Sequence, residues 1–226
     1  MLVKTRGIVL NFIRYKESSI IVGMYTEELG RISCIVNGVR SVKSKNNKIA
    51  LYQPLTLLDV VVYDRPNQSL HRISEAKIAY PFRDIPFDIT KTSMAIFLTE
   101  VLTKMLHEEE KNEELFDFLS YSIEKLDEMQ ENYVNFHLQF LIQLTDYMGF
   151  GISSLSGFMA QLGLVEANEQ SLKLLSQLLQ DDSSSIITAN GNTRNEVLHW
   201  LMGFYQLHFD NFGKIKSLEI LRELQR

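Results

Sequence analysis

The segment Gly38-Val39-Arg40-Ser41-Val42-Lys43-Ser44-Lys45-Asn46-Asn47-Lys48 is the stretch of this chain best equipped for binding chemistry. Arg40, Lys43, Lys45 and Lys48 place four positive charges in nine residues, with no acid and with hydroxyl and amide side chains between them. Cations at that density replace the counterions around phosphates, and Ser and Asn add hydrogen bonds to phosphate oxygens. A solvated loop between strands has the same composition, so charge alone leaves both readings standing. Lys4, Arg6, Arg14 and Lys16 flank the first apolar segment and Arg31 opens another, extending the candidate DNA-binding set. Phe12, Tyr15, Tyr25 and Tyr52 offer rings for base stacking, with most of the four expected in the core.

Motifs for bond-making chemistry fail at identifiable positions. His107-Glu108-Glu109-Glu110 begins like a zinc-protease helix, but Lys111 stands where the second histidine is needed. Gly149-Phe150-Gly151 begins a dinucleotide fingerprint whose third glycine is replaced by Ser154. Ser156-Gly157 lacks the preceding glycine of a nucleophile elbow, and no phosphate-binding P-loop occurs. The histidines at 71, 107, 137, 199 and 208 are scattered, and His137 falls on an apolar helical stripe, as a core residue does. Cys34 lies in a strand and is expected to be inert. Glu108 to Glu110 with Glu113 and Glu114 fit a solvated helix end better than a divalent-ion site. The expectation is a non-enzyme without cofactor or metal; a metal-dependent nuclease built on that glutamate cluster is the catalytic alternative.

The elements that must position the cations follow from periodicity. Gly7–Ile13, Ser19–Thr26, Arg31–Val36, Leu55–Tyr63 and Ser69–Ala76 read as five short strands, with turns at Glu28-Leu29-Gly30 and Asp64–Asn67. Five strands in about 80 residues close most economically as an antiparallel barrel, and the OB-fold is the nucleic-acid-binding form of it. After Pro81 the period becomes helical: Met94–Leu106, a helix capped by Asn112, Tyr133–Met148 ended by Gly149 and Gly151, Leu172–Leu179, and a helix entered by a capping box at Thr193–Glu196. The fold class is α+β, an OB-fold nucleic-acid-binding domain over 1–80 and a helical domain of five or six helices over 81–226.

Charge changes at the same place. Residues 1–80 hold 12 Lys and Arg against 6 Asp and Glu; residues 81–226 hold 11 against 22, within a chain of 226 residues and net charge -5. A basic barrel favours a polyanion and an acidic remainder does not. Hydrophobic content of 45% is that of a globular protein. No apolar run has the roughly 18 residues of a membrane span. Met1–Arg6 lacks the apolar core of a signal peptide. The single cysteine forms no internal disulfide. A cytoplasmic, nucleoid-associated location is expected.

Taken in order, these fragments resemble the RecO family of bacterial recombination mediators. Gly7-Ile8-Val9-Leu10, Glu17-Ser18-Ser19, Tyr25-Thr26, Gly30, Gly38-Val39-Arg40 and Leu51-Tyr52-Gln53-Pro54-Leu55 are similar to the family's N-terminal barrel. Glu100-Val101-Leu102, Glu114-Leu115-Phe116, Phe140-Leu141 through Gly149-Phe150, Arg194 through His208 and Lys216-Ser217-Leu218 are similar to its helical part. Many members carry a four-cysteine zinc module after the glycine-phenylalanine pair. This chain has no cysteine after Cys34, so residues 151–190 replace that module and must be ordered by packing. The resemblance implies binding of single- and double-stranded DNA, annealing of complementary strands, docking of the C-terminal tail of single-strand DNA-binding protein, a RecR partner and recombinase loading. An OB-containing adaptor for RNA or protein, with no repair role, is the alternative from another functional class.

Overall fold

A computed structural model describes residues 1–40, 48–64, 69–107, 111–180 and 187–224. Strands β1 (Leu2–Tyr15), β2 (Ser19–Thr26), β3 (Gly30–Val36), β4 (Leu57–Tyr63) and β5 (His71–Ile78) form a closed barrel in the order β1-β2-β3-β5-β4. The α+β class and the OB-type barrel expected from the sequence are what the chain adopts. Alternation drives it: Ile20, Val22 and Met24 of β2, Ile32 and Cys34 of β3, and Leu58, Val60 and Val62 of β4 are buried inside, and their even spacing gives these three strands an inward apolar face.

β1 serves two neighbours. Its first half pairs with β4, from Leu2↔Tyr63 to Ile8↔Leu57, and its second half with β2, from Gly7↔Thr26 to Tyr15↔Ser19. A bulge between Val9 and Asn11 inserts Leu10 and lets the strand bend from one partner to the other. The barrel closes through a short parallel seam, Cys34↔His71 and Ile35↔Arg72. Burial pushes the Cys34 thiol up to about 12, so it holds no thiolate at neutral pH.

Seven α-helices lie among the described residues: α1 (Ile89–Met105), α2 (Glu113–Glu128), α3 (Phe136–Tyr147), α4 (Leu155–Leu162), α5 (Glu169–Leu179), α6 (Gly191–His208) and α7 (Leu218–Leu224). Among the described residues, no helix is long and apolar enough to cross a membrane. The chain forms two compact units, residues 1–88 with 98–127 and residues 89–97 with 128–226. The unit boundary therefore does not follow the change of period near residue 80: α2 and the second half of α1 group with the barrel.

Within the first unit, Asn112 caps α2 by accepting from Leu115 N at 3.0 Å, as its residue type predicts. Buried Asp127 near the end of α2 accepts from the backbone N–H groups of Arg83 (2.8 Å), Asp84 (3.0 Å) and Ile85 (2.8 Å) and from the Tyr80 hydroxyl (3.3 Å). One carboxylate thereby fixes the connection leaving the barrel.

In the second unit, the Tyr205 hydroxyl of α6 donates to the Leu141 carbonyl of α3 at 2.6 Å. His137 is fully buried edge-on to Phe97. Burial, assisted by the nearby Arg194 charge, pushes its imidazole down to about 3. Two helix expectations change here. α4 lies in the segment read without a helix, where Ser154 caps it through Gly157 N and Gly163 ends it at φ 64°. α6 begins before the expected capping box, because Asn190 accepts from Thr193 N at 2.9 Å. Glu196 instead accepts from Ser171 Oγ at 2.6 Å. The described part of the zinc-module replacement is thus α4 and α5, which bury Phe158, Leu174, Leu175 and Leu178.

Candidate nucleic-acid interface

The outer surface of the barrel divides into two faces of different electrostatic character. Across β1, β4 and β5 the registers Lys4↔Val61↔Glu75 and Arg6↔Asp59↔Lys77 build a ladder of both signs. Lys77 Nζ lies 3.3 Å from Asp59. Arg6 Nη2 reaches Glu27 at 2.7 Å and Asp117 of α2 at 3.0 Å, while the guanidinium lies 5.0 Å from the Phe116 ring centre. The Glu27 hydrogen bond, its largest influence, raises the Arg6 pKa, and Arg6 in turn lowers that of Glu27. On this face Arg6 and Lys77 are ion-paired, while exposed Lys4 has carboxylates in its own and the neighbouring row but forms no ion pair among the described residues.

Across β1, β2 and β3 the registers Asn11↔Gly23↔Ser33, Ile13↔Ile21↔Ile35 and Tyr25↔Arg31 contain no carboxylate. Arg72 of β5 stands beside Ile35 at the seam. This is the side of an OB barrel, strands 2 and 3 with the adjoining loops, on which oligonucleotides bind.

Arg14, Lys16 and Arg40 lie in or against the hairpin that ends this face. Lys16 takes a left-handed φ of 49° and its Nζ lies 5.3 Å from the Tyr15 ring centre. Gly38, at φ 69°, turns the chain after β3, and Val39 is buried in the barrel core. Arg40 then folds back: its N–H donates to the Ser18 carbonyl at 3.0 Å and its Nη1 to the Lys16 carbonyl at 3.4 Å. Ser19 Oγ donates to Asn37 Oδ1 at 3.0 Å, binding the same two segments. Arg14 is exposed, opposite Ile20 in the register. Arg14, Lys16 and Arg40 form no ion pair with a described carboxylate, although Glu17 sits in the same turn.

The nine cationic candidates therefore fall into separate places. Arg40 is brought onto the hairpin at Lys16, with Arg14 two residues earlier on β1; Lys4 and Arg6 belong to the face of mixed sign, Arg6 held by two carboxylates. Arg31 lies over Gly23, and burial lowers its pKa. Lys43 and Lys45 lie outside the described residues, and Lys48 opens a 3-10 turn, Lys48–Tyr52. Of the four aromatics, Phe12 packs against the barrel core, Tyr52 is within it, and Tyr25 is buried against Phe116 with ring centres 6.4 Å apart. Tyr15 alone of the four is half-buried on the outer face. Sequence reasoning missed Asn11 and Gly23; the only signal was a glycine inside a strand, which marks close approach. Glu108 to Glu110 lie outside the described residues, and among the described residues no three His, Cys, Asp or Glu gather as a metal site.

A closed OB barrel with a carboxylate-free face, a cationic hairpin and an appended helical region defines the class: an OB-fold protein with a helical extension. The chain belongs to the recombination protein O family, since the family's N-terminal model matches residues 1–82 and its C-terminal model residues 86–156. It is 37% identical to the DNA repair protein RecO of Flavobacterium psychrophilum, 36% to that of Phocaeicola vulgatus and 37% to that of Bacteroides fragilis, each over 99% of both chains.

Proposed function

We propose that this chain is a non-enzymatic DNA repair protein, a recombination mediator. It binds single- and double-stranded DNA through the barrel, anneals complementary strands and helps load recombinase onto coated single strands. The observation that carries the reading is the segregation of charge, with a carboxylate-free β1-β2-β3 face ending at a hairpin with Arg14, Lys16 and Arg40 on a barrel whose other face mixes both signs. Annealing needs no bond chemistry. Cations screen two strands from each other, and base pairing supplies the free energy. Lys43, Lys45 and Lys48 add to the same field from the sequence that follows Arg40.

The partners in this reading are single-strand DNA-binding protein, through its acidic and apolar C-terminal tail, and RecR; the location is cytoplasmic and nucleoid-associated. The tail would dock on the helical unit, where an apolar groove needs a basic rim. A strand-annealing assay with and without single-strand DNA-binding protein tests DNA binding, annealing and partner recognition together. The expected result is acceleration of annealing on both naked and coated strands. No acceleration on either overturns the reading, and RNA outcompeting single-stranded DNA favours the adaptor instead. Changing Lys43, Lys45 and Lys48 together to Glu should weaken DNA binding by orders of magnitude, whereas wild-type affinity removes that segment from the site. A tail peptide giving no heat in calorimetry removes the tail from the partner list.

A further inference from the structure

Arg31 is the one cation of the carboxylate-free face whose setting the phosphate reading leaves unexplained. It is half-buried, its Nη1 is shielded from water, and that atom has no hydrogen-bond partner among the described residues. A shielded guanidinium N–H without an acceptor is costly, and such a group in a folded protein calls for an explanation. Its neighbours supply one. A Cβ on Gly23 would lie 2.5 Å from Arg31 Nη1, 2.8 Å from Nη2 and 2.8 Å from Asn11 Oδ1. The bare backbone of Gly23 is therefore the seat on which the guanidinium and the Asn11 amide rest side by side. The next row of the same face is apolar, Ile13↔Ile21↔Ile35, with Ile13 61% exposed.

We infer that Asn11, Gly23 and Arg31 form a subsite for the edge of a single-stranded nucleobase, with Gly23 as the residue that positions the other two. Phosphate oxygens only accept, so a phosphate would engage the guanidinium and the amide N–H2 and leave the amide oxygen beside them unused. A base edge presents acceptors and donors side by side, which Arg31 and Asn11 match, and a base plane lies against Ile13 and its row. The subsite would give a binder of DNA backbone a preference among bases. The inference rests on the DNA-binding reading above and narrows it.

The test is binding of fluorescent homopolymers (dT, dC and dA) and a G-rich oligonucleotide to the full-length protein, over a range of salt. Arg31→Ala is expected to lose roughly tenfold on the preferred base and several-fold less on the poorest, with the salt slope unchanged. Gly23→Ala, whose new methyl displaces only side-chain termini, is expected to lose a similar amount, and nothing further in the Arg31→Ala background, because both act through one group. A merely structural role for Gly23 would give additive losses. Equal affinity of Arg31→Ala and wild type on all four oligonucleotides overturns the subsite. A uniform loss with the slope lowered by about 0.7, the signature of a lost phosphate contact, overturns it too. If Gly23→Ala fails to fold, Arg31→Ala with Arg31→Lys decides alone, lysine being expected to keep the salt slope and lose the base preference. Wild-type protein that binds none of the oligonucleotides overturns the DNA-binding reading itself, a result distinct from any of these.

Discussion

The hairpin cluster yields a prediction that separates this surface from the rest of the barrel. Arg40 is held against the β1–β2 hairpin by its hydrogen bonds to the Ser18 and Lys16 carbonyls, Arg14 precedes the same hairpin on β1, and none of Arg14, Lys16 and Arg40 has a described carboxylate partner. If each contacts one phosphate of a single strand, changing all three to Gln removes three contacts. Each contact contributes about 0.7 to the slope of log affinity against log salt, so the slope falls by about 2. Raising salt fourfold, from about 50 to 200 mM, should then cost the wild type roughly 20-fold more affinity than it costs the variant. Fluorescence anisotropy with a labelled oligo-dT at four or five salt concentrations measures both slopes. Lys4→Gln with Lys77→Gln is the matched control. Lys77 is paired with Asp59, and Lys4 stands one strand from Glu75 across Val61, so that slope should change by less than about 0.7. A hairpin variant that keeps the wild-type slope, or a control that loses as much as the hairpin variant, refutes the division of the barrel into two faces.

Other perturbations follow from buried groups. Asp127→Ala strands three backbone N–H groups, two of them only part-buried, at about 1–2 kcal/mol each; urea unfolding should show a loss on the order of 3–6 kcal/mol, and a loss below about 1 kcal/mol would mean the connection finds other acceptors. His137 stays neutral down to about pH 3 when folded, against 6.5 for the free imidazole. Between those values the unfolded chain takes up a proton that the folded chain refuses, so this contribution is complete above pH 6.5 and shrinks as pH falls. The loss is at most about 1.4 kcal/mol per pH unit; His137→Phe should flatten this part of the stability profile, and an unchanged profile would contradict the buried neutral ring. Cys34, its thiol pushed up to about 12 by burial, should react with an aromatic disulfide reagent only after denaturation. Reaction of the native protein at the unfolded rate would refute that burial.

The strands were legible because a barrel interior imposes period two on every strand, and β2 was read to the residue, Ser19–Thr26. Asn112 was legible for a local reason, since a cap needs only the residue and the first turn after it. α4 was not. Its eight residues bury only Phe158, leaving almost no periodic stripe, so its signals were the cap at Ser154 and the glycine at 163. The Thr193–Glu196 pattern misled because Glu196 has a tertiary partner, Ser171, that outcompetes the local box. The cationic site was half legible. Residue type marked the nine candidates, but Arg6 is engaged by Asp117, more than a hundred positions later. Gly23 decides what Arg31 does from the neighbouring strand. Charge is written along the sequence, and its neutralisation is written across it.

The shared pairing of β1 also sets a timetable for synthesis. Residues 7–15 find β2 as soon as a few more residues have emerged, whereas residues 2–8 must wait for β4, which leaves the ribosome dozens of residues later. During that interval this half of β1 is an open, hydrogen-bond-hungry ribbon, the kind of edge that invites illegitimate pairing between nascent chains. Lys4 and Arg6 sit on that ribbon, and charged side chains are the usual guard of an exposed strand edge.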